Sequence, residues 1–562
     1  MWTRKWLVGI LFFFISLHVY AQSTSWIGGN SSIWRTASNW TNGVPDATKD
    51  VIIGDGNFTG PNEPTLSFWF GSGQCKSLTL IGARTLTLFD DLTVYGTITI
   101  GSTSTIDHEL GNITLEGNWA NSGTYNATSS SRRVYFSGTS QSISGTTTTT
   151  FEQLYINSGS TVTLARNVTV ANLMELSGTL DPTQSFAVTA GSSDINIRAG
   201  GILKVMASTF TGNYSAGSAD ASTSTSVIDY AASAINQTVS NSVSYQVLRI
   251  SGGMTKTLAG NTTVGQSIVI DGGTLDLSTF TANRSSSGGN FTMAAGTTLR
   301  IGGTNTFPSN YSTTALANTS TVVYYGGNQT VSAKSYGHLS LTSSGGTITK
   351  TMPGTAFSVA GNFTSSASAG TLSYTAGNNI SISGSVSIGA NTTFGAGTFS
   401  HSLGGNWTNN GTFNGCGTPA SPSTVTSNGA GSVWSGSGAN NFGNLVIIGN
   451  STVLDQNTSI TLCGNFSTSG SGSFTHTTGG TGVFTMTGTS KTISGTGIVF
   501  DDLTIASGSV STSSSFVLAG NLITTGSLTA SSGTISLTGS GKTLSGAGAL
   551  QFSTLNVPGT IS

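Results

Sequence analysis

Phe151-Glu152-Gln153-Leu154-Tyr155-Ile156 is the stretch that decides how this chain folds. Leu154 and Ile156 are two residues apart, so in an extended strand they point to one face while Tyr155 points to the other. Phe151 stands three residues ahead as an aromatic plug. The same phrase recurs as Cys75-x-x-Leu78-x-Leu80, Tyr245-x-x-Leu248-x-Ile250, Tyr336-x-x-Leu339-x-Leu341, Phe442-x-x-Leu445-x-Ile447, Phe500-x-x-Leu503-x-Ile505 and Phe552-x-x-Leu555-x-Val557. A buried strand that recurs with little chemistry between its copies marks a repeat protein.

The intervening sequence has the same texture. Leu78-Thr79-Leu80, Leu86-Thr87-Leu88, Leu92-Thr93-Val94, Ile98-Thr99-Ile100 and Ile113-Thr114-Leu115 alternate aliphatic with Thr, and turn formers separate them. Three such strands make one coil of a β-solenoid, about 20 residues around. The length then gives roughly 24 coils.

Gly-Asn pairs precede an apolar residue at Gly117-Asn118-Trp119, Gly289-Asn290-Phe291, Gly361-Asn362-Phe363, Gly405-Asn406-Trp407, Gly464-Asn465-Phe466 and Gly520-Asn521-Leu522. Both residues tolerate left-handed backbone, so each pair is expected to turn a corner and throw the next side chain inward. Gly-x-Leu/Phe/Tyr follows in several coils, as in Gly123-Thr124-Tyr125 and Gly411-Thr412-Phe413.

The expected fold is all-β: a right-handed parallel β-helix, or β-solenoid, with a short N-terminal Trp-rich cap. Residues 1–21 read as a signal peptide, 22–65 as the cap segment and 66–562 as solenoid repeats. Trp26, Trp34 and Trp40 are expected to pack over the first coil and hide its edge. No polar cap follows Val557, so the repeats are expected to be incomplete at the C-terminus. Tandem immunoglobulin-like sandwiches are the competing architecture.

The signal reading rests on Arg4 and Lys5, the apolar run Trp6 to Val19 and the small Ala21. That run is short for a membrane span, and no second long apolar run follows. Secretion or surface display through a cleavable signal, with no transmembrane segment after its removal, is therefore expected. Only 7% of the 562 residues are charged and the net charge is −1. The chain thus lacks the cationic footprint that nucleic acid requires.

Cys75, Cys416 and Cys463 are too few for a disulfide framework. Three unpaired cysteines are the expectation, with Cys416 joined to Cys463 across neighbouring coils as the alternative.

Catalytic chemistry is sparse. No Asp or Glu occurs between Asp276 and Asp455, whereas glycoside hydrolysis needs two carboxylates across a cleft. Asp107-His108-Glu109, with Asp90 and Asp91 about one coil earlier, is the best cluster. Adjacent strand residues face opposite ways, however, so a solvated corner is the expected reading. His18 lies in the signal, and His338, His401 and His476 lack zinc-ligand spacing. Tyr125 and Tyr155 read as exposed aromatics at corners, with sugar stacking as the sharper alternative. Outward Thr suits any half-buried strand, so an ice-binding array is not favoured. No catalytic, cofactor-binding or metal-binding residue is assigned, no cofactor is expected, and the chain is read as a non-enzyme.

Trp26-x-Gly28…Trp34…Asn39-Trp40…Gly43-x-x-Pro45, followed by Asp50-Val51-Ile52-Ile53, resembles the start of large secreted surface proteins of Bacteroidota. Gly117-Asn118-Trp119-x-Asn121-x-Gly123-Thr124 and Val134-x-Phe136-x-Gly138-x-x-Gln141-x-Ile143-x-Gly145 are similar to their repeats. The resemblance implies an elongated β-helical, adhesin-like surface protein associated with type IX secretion, although this sequence has no C-terminal sorting module. It transfers no catalytic residue. The function expected is a secreted structural or adhesin-like repeat protein, a non-catalytic stalk or binding surface. Its expected partners are surface glycans or other cell-surface components. The alternative is a non-catalytic or accessory part of a longer carbohydrate-active β-helix protein.

Overall fold

The computed structural model describes residues 22–127, 129–191, 195–215, 219–221, 223–417 and 421–558; the signal reading of 1–21 lies outside them. The chain forms two compact units, Met1–Asn196 with Tyr214–Gly217 and Ile197–Asn213 with Ser218–Ser562. Each is a β-solenoid of stacked parallel strands, and together they carry about 23 turns. Sandwiches are excluded, because their sheets are antiparallel and the ladders here run parallel through every coil.

In the first unit one buried column runs Val51, Leu78, Ile98, Trp119, Ile143, Leu164, each residue level with the next across the ladder. Period-2 alternation puts these residues inside and Thr79 and Thr99 outside. Strands Gln22–Ser25 and Lys49–Ile53 already belong to this ladder. Trp26, Trp34 and Trp40 are all buried. Trp40 meets both others edge to face, at 4.9 and 4.8 Å between ring centres, the geometry aromatic quadrupoles favour. The Trp26 indole N–H donates to the Asn62 carbonyl at 2.7 Å.

The second unit is a three-faced coil over most of its length. Ser400–Leu403, Trp407–Asn409 and Thr412–Asn414 are the three strands of one turn, and each stacks on its counterpart in the next. Its core is aromatic: Trp407, Phe413, Trp434 and Phe442 form one cluster with ring centres 4.8 to 5.7 Å apart.

Six of the seven phrase copies are fully buried at anchor, Leu and aliphatic. The seventh differs. Phe552 and Leu555 are half-buried and Val557 is exposed; among the described residues strand Leu550–Asn556 pairs with Ser527–Leu537 alone.

The Gly-Asn corners place Trp119, Phe291, Phe363, Trp407, Phe466 and Leu522 inside, as expected. Their mechanism is different from the one expected. Of these six glycines only Gly289 has positive φ. Elsewhere glycine is needed for close approach: a Cβ on Gly117 would lie 2.2 Å from the Gly96 backbone. The Asn then reaches across coils. The side-chain oxygens of Asn118, Asn362, Asn406, Asn465 and Asn521 accept the backbone N–H of Ser142, Ser385, Val433, Thr492 and Thr543 on the following coil, at 2.8 to 3.1 Å. Asn406→Ala removes one such bond and is expected to cost about 1 kcal/mol in a urea titration. Asn428→Ala, at an exposed position, should stay within about 0.5 kcal/mol. Equal midpoints for the two variants would refute the corner role.

A second corner device is a buried Gln. Gln141, Gln237 and Gln329 each accept a local backbone N–H and donate to carbonyls of the preceding coil. Above two of them sit buried lysines, with Lys256 level with Gln237 and Lys350 level with Gln329. Lys350 donates to Gly326 and Gly327 carbonyls and to the Gln329 side chain at 2.6 to 2.9 Å. Burial pushes its ammonium down to about 8, and burial lowers Lys256 too. Three oxygen acceptors hold the Lys350 charge in place, which makes it structural.

Candidate functional site

Asp107-His108-Glu109 does not converge. Strand Thr105–His108 turns His108 inward and Asp107 outward, where the Asp107 carboxylate accepts from Asn126. His108 corrects the expectation of a solvated corner, since it is fully buried. Its Nδ1 lies 2.8 Å from the Tyr125 hydroxyl and its Nε2 3.0 Å from the Gly111 carbonyl. A carbonyl only accepts, so Nε2 carries the proton and Nδ1 accepts from Tyr125. Burial lowers the imidazole pKa to about 4. Asp91 instead holds the Asn112 backbone N–H on the next coil at 2.7 Å.

The other histidines are separate from it and from each other. His338 accepts the Asn362 N–H at a corner. His401 is buried, with Nδ1 accepting the Ile380 N–H at 3.2 Å and Nε2 donating to Ala396 at 2.9 Å. His476 is buried with neither ring nitrogen hydrogen-bonded, and one oxygen of buried Asp501 is likewise without a partner. Desolvation lowers both His401 and His476. Among the described residues no group of three His, Cys, Asp or Glu could hold a metal ion.

Cys416 and Cys463 form a disulfide, with Cα atoms 5.8 Å apart. This corrects the expectation of three unpaired cysteines. Cys75 is free and buried, as its plug position requires. Alkylation of the denatured, unreduced chain should therefore label one cysteine, and reduction should raise that to three; labelling of three before reduction would refute the bond.

Tyr125 is also not where the sequence reading put it. It is 8% exposed and packs edge to face on Trp119. Tyr155 is half-exposed but stacks on Tyr135, with ring centres 4.7 Å apart and planes 30° apart. Those two facing surfaces are closed to a sugar. Among the described residues the most exposed aromatics are Phe68 and Trp69, at 65% and 83%, on the short 3-10 turn Phe68–Phe70.

The most extended feature is one that sequence reasoning missed: outward hydroxyls stand in register. On the first face of the second unit, Ser335, Ser358, Ser381, Ser402 and Thr426 are successive rungs. On the second face the rungs are Ser340, Thr364, Ser387, Thr408 and Ser435. Ser381 and Ser402 hydroxyls are hydrogen-bonded at 2.9 Å. The first column is the floor of a shallow trough, formed by two adjoining clefts of about 390 and 290 Å³ that share Ala356 and Phe357. Asn379 and Ser400 flank it, and Lys334 stands at one end. The trough lies wholly within the stretch that has no Asp or Glu. Alternation in sequence showed outward Ser and Thr; varying coil length hid their alignment.

Comparison with protein-family models, with curated proteins and with solved structures finds no match to this chain.

Proposed function

We propose that this chain is a secreted, cell-surface structural or adhesin-like repeat protein, a non-catalytic stalk or binding surface of the kind its resemblance to Bacteroidota surface proteins implies. The observation that carries this reading is the first-face column of the second unit, Ser335, Ser358, Ser381, Ser402 and Thr426, which offers hydrogen-bonding capacity over successive coils without charge. A repeating neutral polar face suits contact with an extended partner, because each coil repeats the same small interaction. Surface glycans are the partner class proposed, and export through the N-terminal signal is the route proposed.

The test has two arms. Expressed with residues 1–21 intact, the chain should be labelled by antibody on unpermeabilised cells. The purified chain, incubated with a panel of polysaccharides, should release neither reducing ends nor unsaturated products. Turnover that disappears in Asp107→Asn or Glu109→Gln would overturn the non-catalytic reading, and a chain confined to the cytoplasm would overturn the surface reading.

A further inference from the structure

We propose that the trough floored by Ser335, Ser358, Ser381, Ser402 and Thr426 binds an extended segment of neutral polysaccharide laid across the coils. The inference deepens the adhesin-like reading and rests on it for the class of partner.

The floor presents one hydroxyl per coil, and coils in a parallel ladder are about 4.8 Å apart, close to the length of one sugar ring in an extended chain. Each Ser or Thr hydroxyl both donates and accepts, which matches sugar hydroxyls of the same dual character. Ala333, Ala356 and Phe357 also line the trough, which adds apolar contact suited to the C–H faces of a pyranose. Asn379 adds an amide at the rim.

Charge narrows the occupant further. From Leu277 to Leu454 there is no carboxylate, so nothing in the trough draws a cationic partner. Lys334 is the one cation lining it. Its ammonium donates to Thr314 at 3.2 Å and lies 5.2 Å from the Phe307 ring. One engaged lysine does not make the multi-cation track that nucleic acid or an anionic polysaccharide requires. A protein partner is poorly served too, since interfaces are anchored by Trp, Tyr and Arg in dry pockets and this floor is hydroxyl throughout. Each rung contributes weakly, and affinity comes from engaging several rungs of one chain at once.

The experiment is affinity electrophoresis of the full mature chain through gels containing soluble β-glucan, xylan or galactomannan, with alginate as the anionic comparison. At least one neutral polymer should retard the chain more than alginate does. Ser358→Val/Ser381→Val/Ser402→Val removes three floor hydroxyls with a strand-favouring residue and should weaken retardation by about tenfold. The matched triple on the neighbouring face, Thr364→Val/Ser387→Val/Thr408→Val, should leave it unchanged. Should the floor triple fail to fold, its Ser→Ala counterpart reads the same loss. No retardation by any neutral polymer, stronger retardation by alginate, or equal loss in the two triples would each overturn the proposal. Retardation that ignores both triples would overturn the trough alone and leave a glycan-binding surface elsewhere on the chain; failure of surface labelling would instead strike the proposed function.

Discussion

Phe442→Ala should lower the stability of the second unit by about 3–5 kcal/mol, the range for emptying a large aromatic site in a packed core. Phe442 is fully buried, with its ring centre 5.3 Å from Trp407, 4.8 Å from Phe413 and 5.3 Å from Trp434. These are large rigid rings held on strands of successive coils, so they cannot collapse into the space left behind. The equivalent anchor Phe552 is half-buried, and Phe552→Ala should cost about 1 kcal/mol or less. Urea unfolding followed by tryptophan fluorescence compares the two. Equal losses would show that the repeated phrase does not mark the core.

Mild acid should loosen the protein. His108, His401 and His476 are all held neutral in the folded chain, chiefly by burial. Their folded pKa values lie below the unfolded value, so above roughly pH 6.5 neither state is protonated and stability is unaffected. As pH falls below that value, the unfolded chain takes up protons that the folded chain refuses, and stability declines until the folded pKa is reached. For His108, lowered to about 4, this amounts to about 2 kcal/mol at pH 5 and about 3 kcal/mol near pH 4. His401 adds to the trend because its Nδ1 accepts a backbone N–H and has no room for a second proton. Urea midpoints between pH 7.5 and 4.5 should fall, and His108→Gln should flatten the slope. A midpoint that rises on acidification would contradict the buried neutral assignment.

The fold was legible because its evidence is local. Leu154 and Ile156 share a face whatever the rest of the chain does, and the phrase recurs too often to be composition. Some of what was missed was legible by the same rule. His108 stands two residues after Ile106, His401 two before Leu403, and His476 two after Phe474, so period-2 alternation already turns all three inward. Tyr125 occupies the Gly-x-apolar position that Phe413 fills. Its hydroxyl meets buried His108 and not solvent. Other features were beyond reach. Cys416 and Cys463 are 47 residues apart, and whether that spans whole coils depends on loop lengths that alternation does not reveal. The hydroxyl columns depend on the same unknown, since Ser381 meets Ser402 after 21 residues while Asn406 meets Val433 after 27.

The corner asparagines bear on how such a chain can change over time. Asn118, Asn362, Asn406, Asn465 and Asn521 each hold a backbone N–H of the next coil, across separations of 22 to 27 residues. The variable remainder is taken up in loops, while these corners keep their coils in phase with the next. An insertion within a loop is absorbed before the next corner. An insertion within a strand reverses which side chains face inward and breaks the handover. Loss or duplication of one entire turn leaves each Asn facing an equivalent N–H. The turn is therefore the unit in which this protein can be lengthened or shortened by recombination, and relatives should differ by whole turns far more often than by fractions of one.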